Sequence, residues 1–568
     1  MIPLKPIADL PTHEVINMPP LIGDQDLWAG DVALREAVAR EGAGPAADRL
    51  AEFGRLMGSD AVFEKAEQAN RHAPELRAFD RHGRRINQVA YHPAYHDLME
   101  IAVAGGAPNH AWIHDGPGAH AANMAVVYLF SQAESGVLCP MAMTYSVMPV
   151  LRNNPGGPNG VADEWMPRLL STEYDSRDIP AAEKSGALVG MFMTEKQGGS
   201  DVRANSTTAA PAGAETGEGA AYRLSGHKFF CSAPMCDAFL TLAYTEGGLS
   251  CFLMPRWTPD GERNGLFIQR LKDKLGNRSN ASSEMELQGS WAVMVGPEGR
   301  GVRTVMDMVT GNRLYCAANS AALMRQALVQ ALHHTCHRTA FQKKLIHQPL
   351  MRNVLADLAL EAEAALALAL RVARACDEAG PNSNGGEEAA ALFRIGTALA
   401  KYWNCKRAPA HTAEALECLG GPGYIEESMM PRLYREAPLN SIWEGSGNVI
   451  CLDVLRALHR EPAAAPALMA ELESARGADT RLDAALDGLK ADLDDRDNLE
   501  FRARRLTERM AVLWQATLLV QHAPAPVADA FCASRLGDRW TGSFGTLPAA
   551  TDFDAILDRA LPEPEYAA

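Results

Sequence analysis

The chain has 568 residues, 47% hydrophobic and 22% charged, proportions of a globular protein with room for three or four structural units, not a small binding module. Lys and Arg number 54 against 70 Asp and Glu, a formal charge of -16 that disfavours anionic polymers such as nucleic acid unless basic residues cluster. The N-terminus MIPLKPIADLPTHE lacks the pattern of a secretory signal. The most apolar helical stretch, Leu355 to Cys376, carries Asp357, Glu361, Glu363, Arg371 and Arg374, too many charges for a membrane span. The eleven cysteines include no CxxC pair, which suits reduced thiols and a cytoplasmic location.

From Leu27 to about Asn153 the segments ALREAVARE, DRLAEFGRLM and AANMAVVYLFSQAE space apolar residues at three and four, predicting an N-terminal helical domain over 1–187. Short β-like runs follow, AYRLSGHKFFCS, AFLTLAYT, LSCFLMP and LFIQRL, separated by polar or glycine-containing turns, and predict a middle β domain over 188–295. Helical periodicity resumes with VRTVMDMV, a helix beginning around Asn319, the alanine-rich stretch from Met351 to Cys376, and Ala389 to Cys405. These form a predicted bundle over 296–460, with a loop at Gly380 to Glu388. Past His459, EPAAAPA reads as a hinge to an appended helical unit over 461–568, containing TRLDAALDGLKADL and a helix from Leu499 to Gln521. Helices, strands, then helices make an α+β order with no Rossmann sheet.

Three motifs carry chemistry. In Met193-Thr194-Glu195-Lys196-Gln197-Gly198-Gly199-Ser200-Asp201-Val202, two adjacent glycines let backbone amides approach an anion, and Thr194 and Ser200 add hydroxyls suited to a flavin edge or a pyrophosphate. A plain surface turn is the alternative. Glu417-Cys418-Leu419-Gly420-Gly421-Pro422-Gly423-Tyr424 precedes Ile442-Trp443-Glu444-Gly445-Ser446-Gly447-Asn448, which sets a carboxylate on a tight loop beside an aromatic wall. Desolvation there would raise Glu444 towards what a base for a weakly acidic carbon needs, whereas a solvated loop glutamate would stay near its reference value. In Arg338-Thr339-Ala340-Phe341 a guanidinium could clamp a phosphate beside an aromatic ring, or simply favour a helix C-terminus.

Together, and in this order around a β domain, these motifs resemble the acyl-CoA dehydrogenase family. The segments MTEKQGGSDVRANSTTA, SGHKFFCSAP, LKDKLGNRSNASSE, HQPLMRNVLADLAL, PRLYREAPLNSIWEGSGNVICLDVLR and LREAVAREGAG look like its AidB branch, the adaptive-response flavoproteins linked to alkylation damage. The resemblance runs from about Asn17 to Arg460, with a weaker match in the tail. It implies an N-terminal helical domain, a middle β-barrel-like domain and a C-terminal helical bundle, here with a helical tail, usually assembled as a homotetramer with FAD. It also implies α,β-dehydrogenation of an acyl thioester: Glu444 takes the α-proton, its backbone N–H helps hold the thioester oxygen, and the β-hydrogen leaves as hydride to flavin N5. No motif specifies the electron acceptor or the acyl chain.

Carried over residue by residue, the resemblance puts Thr194 at the flavin ring and Ser200 at the pyrophosphate or the thioester ligand. Phe230, Cys231 and Ser232 pack on the isoalloxazine, Arg338 and Phe341 reach a neighbouring subunit's FAD, and Gly421 lies near its adenine side. Ser446 and Asn448 also contact FAD, and the cofactor set takes in Met191, Met193, Gly199, Ile442, Trp443 and Gly445. Arg313, with Ser200, falls to the substrate. Some members carry their base beside the arginine that matches Arg313; here that neighbour is Asn312. Gln342 stands where the family has glycine, Glu417 replaces a commoner glutamine, and Phe192 a small residue.

Two further patterns are weighed against plainer readings. His333, His334, Cys336 and His337 have one helical turn between ligand-type residues, but no carboxylate completes a set, and a helix face is favoured over metal. Arg502, Arg504, Arg505 and Arg509 are the feature that a second function, a flavin-bearing DNA-associated protein, would use. Residues 461–568 hold 11 Lys and Arg against 19 Asp and Glu, so a salt-bridged face or subunit contact is favoured and duplex DNA binding is expected to be weak.

Overall fold

The computed structural model describes residues 12–562 except 115, 157–159, 381–382, 384, 496 and 538–539. Part of the expected Gly380 to Glu388 loop lies outside these residues, and Gly386 already opens the next helix.

Among the described residues the N-terminal part is mostly helical, as its periodicity predicts, with one departure. The strands β1 (Glu75–Phe79) and β2 (Arg85–Ala90) form an antiparallel hairpin. Its run of arginines hides the alternation, and only the turn at Asp80 to Gly83, closed by Asp80 accepting from His82 and Arg84 amides, marks it.

The middle strands are β3 (Val189–Phe192), β4 (Thr208–Pro211), β5 (Ala221–Ser232), β6 (Ala238–Thr245), β7 (Gly248–Pro255), β8 (Leu266–Leu271) and β9 (Ser282–Val295). They run in the order β3-β6-β4-β5-β9-β7, and because β6 also pairs with β7 the path closes into a barrel. Leu224, Phe239, Phe252 and Met294 are fully buried inside it, and β6 and β7 are buried on both faces, so Leu242 is covered from the outside. The 14-residue β9 is the longest strand and joins β5, β7 and β8. It is absent from the predicted runs because Gly289-Ser290, at a register shift opposite Leu224, interrupts its apolar pattern.

The bundle consists of the helices Gly301–His337, Pro349–Glu378, Gly386–Cys418 and Gly447–Arg460. The first is one 37-residue helix, not a short piece followed by a helix from Asn319. Thr310-Gly311-Asn312 reads as a break by propensity, yet a Cβ at Gly311 would come within 2.5 Å of Ser146 Oγ, so the glycine serves close packing against the helix Leu138–Asn153. The EPAAAPA hinge is also corrected. The Gly447 helix ends at Arg460 and the next begins at Ala464, whose side chain is buried. Pro462 thus makes a corner, and that helix packs on the Gly386 helix. The tail helix Leu499–His522 lies against three of the bundle helices. No described helix is long and apolar enough to cross a membrane, and none of the eleven cysteines forms a disulfide.

Candidate active site

Glu444 sits between the Leu439–Ser441 turn and the Gly447 helix with φ of +56°, followed by Gly445 at +104°. A side chain at Gly445 would be strained, and its Cβ would meet Ile450 Cδ1 at 3.0 Å. Three bundle helices hold this left-handed loop. Arg313 Nε donates to the Glu444 carbonyl oxygen at 3.0 Å, and Lys401 Nζ donates to the Gly445 carbonyl oxygen. Arg313 Nη1 is paired with Asp453 at 2.7 Å, and Arg394 closes on the other Asp453 oxygen at 2.7 Å.

The carboxyl of Glu444 lies in the interior although the residue as a whole is only half-buried. Burial pushes its pKa up to about 7, against the opposing pull of Arg313, Lys401 and Asn312. The Asn312 carboxamide stands beside it, its nitrogen and oxygen both buried without a formed hydrogen bond. The Glu444 N–H donates to no acceptor among the described residues. Trp443 is partly buried and donates its indole N–H to Asn440 at 3.1 Å, which fixes the ring next to the loop.

The glycine turn is built around a residue that sequence reasoning passed over. Glu195, 2% exposed, accepts from Lys228 Nζ at 2.9 Å, Thr207 Oγ1 at 2.5 Å, Ser206 N at 2.7 Å and Gln197 Nε2 at 2.7 Å. Its pKa falls to about 2, since Thr207, Lys228 and Ser206 outweigh the opposing cost of burial. The signal was an acidic residue inside a glycine motif, with a lysine on the next long strand. This buried pair ties the turn to β5, and Thr194 adds two more ties, accepting from Phe229 N at 2.8 Å and from Phe230 N at 3.2 Å.

Past the tie the turn is open. The backbone N–H groups of Gly199 and Ser200 and the Ser200 hydroxyl have no partner among the described residues. A Cβ at Gly199 would meet only a methyl at 3.9 Å. Phe230, 49% exposed, shows its ring on the same end of β5. Cys231 is fully buried, so its side chain turns into the sheet and only its backbone can share that surface. Met191 is central in β3 and Met193 is buried beyond it, its carbonyl taken by Asn205. Free donors beside an exposed ring fit a planar, anionic cofactor such as a flavin dinucleotide.

Other expected residues sit elsewhere. Arg338 follows the last turn of the Gly301 helix, 25 residues from Arg313, roughly 37 Å along the axis. Phe341 is 95% exposed at the tip of the hairpin formed by β10 (Thr339–Ala340) and β11 (Lys343–Lys344). Gly421 opens a short helix beyond Cys418, with nothing within 4 Å of its would-be Cβ. One chain therefore does not bring Arg338 and Phe341 to Glu444. At the head of the Gly447 helix the Ser446 hydroxyl is unpartnered among the described residues and Ile442 is 64% exposed. The Asn448 carboxamide oxygen is already taken by Arg504 Nε at 2.8 Å. Phe192 stacks on Phe239 in the barrel core, centroids 4.0 Å apart.

In the tail, Arg505 and Arg509 both bond Asp492, and Arg502 pairs with Asp495 at 3.2 Å. His333 Nε2 lies 2.8 Å from the Pro20 carbonyl oxygen, and His337 Nδ1 the same distance from that of His333. Among the described residues no three His, Cys, Asp or Glu side chains are grouped to hold a metal.

Known proteins show the family of this fold. Residues 17–176 match the adaptive response protein AidB N-terminal domain, 190–290 the acyl-CoA dehydrogenase middle domain and 299–459 its C-terminal domain. The AidB protein of Escherichia coli is 44% identical over 93% of this chain and 95% of its own. The structure of Caenorhabditis elegans ACDH-11 in complex with C11-CoA superposes with a TM-score of 0.83 at 26% identity, covering 95% of this chain and 96% of that one. A Bacillus anthracis acyl-CoA dehydrogenase complexed with FAD shares the fold at 18% identity and a TM-score of 0.62, over 78% of this chain and 80% of that one. With all three domain models and a near-full-length relative matched, the chain belongs to the acyl-CoA dehydrogenase family, in its AidB branch.

Proposed function

We propose that the chain is an FAD-dependent oxidoreductase that α,β-dehydrogenates an acyl-CoA thioester with Glu444 as the base. The observation that carries this reading is a carboxyl held in the interior with a pKa of about 7, on a clamped loop whose own N–H is free. A carboxylate of that basicity is suited to remove an α-proton near neutral pH. The Glu444 N–H is available to a thioester oxygen as negative charge develops there. Trp443, fixed next to the loop, would help shield the carboxyl from water. Bound FAD supplies the two-electron acceptor for the β-hydrogen.

Thr194, Gly199, Ser200, Phe230 and Ser232 would hold the cofactor in this chain, with Met191, Met193, Trp443, Gly445 and Ser446 around it. Arg313 contributes through the loop it holds, since its guanidinium is committed to Glu444 and Asp453. Arg338 and Phe341 would serve the cofactor of a second copy, and the exposed Phe341 tip suits a homotetramer. The paired tail arginines favour the enzyme reading over duplex DNA association as the primary role.

The test is to load purified protein with FAD and titrate it anaerobically with saturated acyl-CoA thioesters. Bleaching of the flavin with release of the enoyl thioester supports the reading. Colourless protein that takes up no FAD overturns it.

A further inference from the structure

Beside Ser232, at the flavin-facing end of β5, runs a short line of hydrogen bonds from a lysine that nothing above uses. Lys274 Nζ donates to Ser282 Oγ at 2.9 Å and to the Asn280 carbonyl oxygen at 2.7 Å. Ser282 Oγ lies 3.1 Å from Ser232 Oγ, and the two serines are directly paired across β5 and β9. Ser282 and Asn280 are buried, at 4% and 1% exposure.

The donor directions follow from chemistry. An ammonium donates and cannot accept, so Ser282 Oγ is the acceptor of the first bond. Ser282 is buried and Ser232 Oγ is the one further partner of its hydroxyl among the described residues, so satisfying the Ser282 proton points it to Ser232 Oγ, which leaves the Ser232 proton for another acceptor. The Cys139 thiol also adjoins the Ser232 hydroxyl and is a weak acceptor. A stronger acceptor at the partly exposed side of Ser232 takes that proton.

Resting on the proposed FAD site, we infer that Lys274 is a positioning residue that, through Ser282, fixes the Ser232 hydroxyl as a donor toward the bound flavin. No carboxylate among the described residues forms a salt bridge with Lys274. The titratable groups that face it are Cys139 on the helix Leu138–Asn153, Glu436 on the helix Met430–Glu436, and Glu134 just before that first helix. Burial lowers its pKa to about 8, so the line is charged at neutral pH and loses its charge in mildly alkaline solution. A buried cation near the ring also favours electrons arriving there.

The experiment uses FAD-loaded full-length protein and the variants Lys274→Met, Ser282→Ala and the two combined. Each is read by flavin absorption, reduction midpoint and steady-state kinetics. All three are expected to keep FAD, with a more negative midpoint, kcat lowered about tenfold, as for loss of one charge-assisted hydrogen bond, and KM little changed. The double variant is expected to be no worse than Lys274→Met alone, because both act through one line. The flavin spectrum of the wild type should shift between pH 7 and 9, and that of Lys274→Met should not. Unchanged spectra and midpoints in the variants, or effects that add, overturn the inference. Should Lys274→Met fail to fold, Ser282→Ala, which removes only a hydroxyl, carries the same expectation, and wild-type behaviour from it overturns the inference. Wild-type protein that binds no FAD overturns the functional reading and this inference with it, whereas FAD-bound wild type beside indifferent variants overturns the inference alone.

Discussion

Arg313 donates Nε to the carbonyl oxygen of Glu444 at 3.0 Å, so the backbone of the proposed base is held by the first bundle helix while its carboxyl faces Asn312 and forms no salt bridge among the described residues. The two residues are 131 apart in sequence, and the bond stabilises a left-handed φ that a non-glycine residue adopts at a cost of about 1–2 kcal/mol. Strain held in this way keeps a side chain aimed, which a relaxed loop would not do.

Glu444→Gln keeps shape and hydrogen bonding and removes the base. It is expected to retain FAD and to lose dehydrogenation by at least about a hundredfold. In the wild type, kcat/KM should rise with pH through about 7, where the carboxyl ionises. A flat profile from pH 6 to 8, or unchanged turnover in the variant, would mean that another group takes the proton.

Asp453 is 3% exposed and faces both Arg313 and Arg394. Asp453→Asn leaves the buried Arg313 guanidinium without its carboxylate, while Arg394 keeps Glu461 and Arg456 is largely exposed, a change worth about 3–5 kcal/mol for a broken buried pair. Thermal melts should show that loss. Any folded variant should have lower kcat with its pH midpoint displaced from the wild type, since Arg313 also opposes the raised pKa of Glu444.

Much of this site was legible in the sequence because its parts are local motifs. The glycine turn, the strand AYRLSGHKFFCS and the loop around Glu444 each carry their chemistry within a dozen residues. The assembled parts were not legible. Glu195 meets Lys228, Ser282 meets Ser232, and Arg313 finds Asp453 only because strands and helices far apart in the chain lie side by side. The same holds for the fold. Periodicity located the strands with clean alternation, but β9 with its Gly289-Ser290 interruption, and the unbroken helix through Gly311, depend on packing that propensity does not contain.

Glu436 is buried, and burial first, then the neighbouring Glu134, raise its pKa from 4.5 to about 7. A carboxyl whose folded pKa is raised contributes stability that is full below the unfolded pKa and lost as pH rises through the folded one. Glu436→Gln keeps an acceptor for the Asn277 N–H. It should leave stability unchanged near pH 4 and gain progressively on the wild type between about pH 4.5 and 7, levelling off by pH 8, by at most ~3 kcal/mol. Denaturant melts across that range decide it, and a constant difference would show that Glu436 does not titrate there.

Arg502, Arg505 and Arg509 are paired with Asp495 and Asp492, and Arg504 bonds Asn448. Duplex DNA should bind weakly at physiological salt, with a Kd on the order of 10⁻⁴ to 10⁻⁶ M or poorer. Changing Arg502, Arg505 and Arg509 together to alanine should leave that unaltered. Tight, salt-sensitive binding in a gel-shift titration, abolished by the triple change, would make DNA association primary.

The last expectation concerns the hairpin tip. Phe341 and Gln342 both have positive φ, +51° and +63°, and form the two-residue loop between β10 and β11, the arrangement of a type I′ turn. Glycine is favoured in such a loop, and Gln342 stands where the family has one. Gln342→Gly should relieve the left-handed strain and, after the entropy lost by a freer chain, stabilise the protein by about 0.5–1 kcal/mol. Gln342→Val, with a branched β-carbon, should destabilise it. Phe341, 95% exposed, gains nothing from its own chain, so Phe341→Ala should leave the melt of FAD-free protein unchanged. If the tip serves the cofactor of a second copy, the same change should weaken FAD retention and Gln342→Gly should preserve it. Equilibrium dialysis of FAD, alongside thermal melts of the three variants, separates the two effects. FAD retention unaffected by Phe341→Ala would remove this hairpin from the cofactor site.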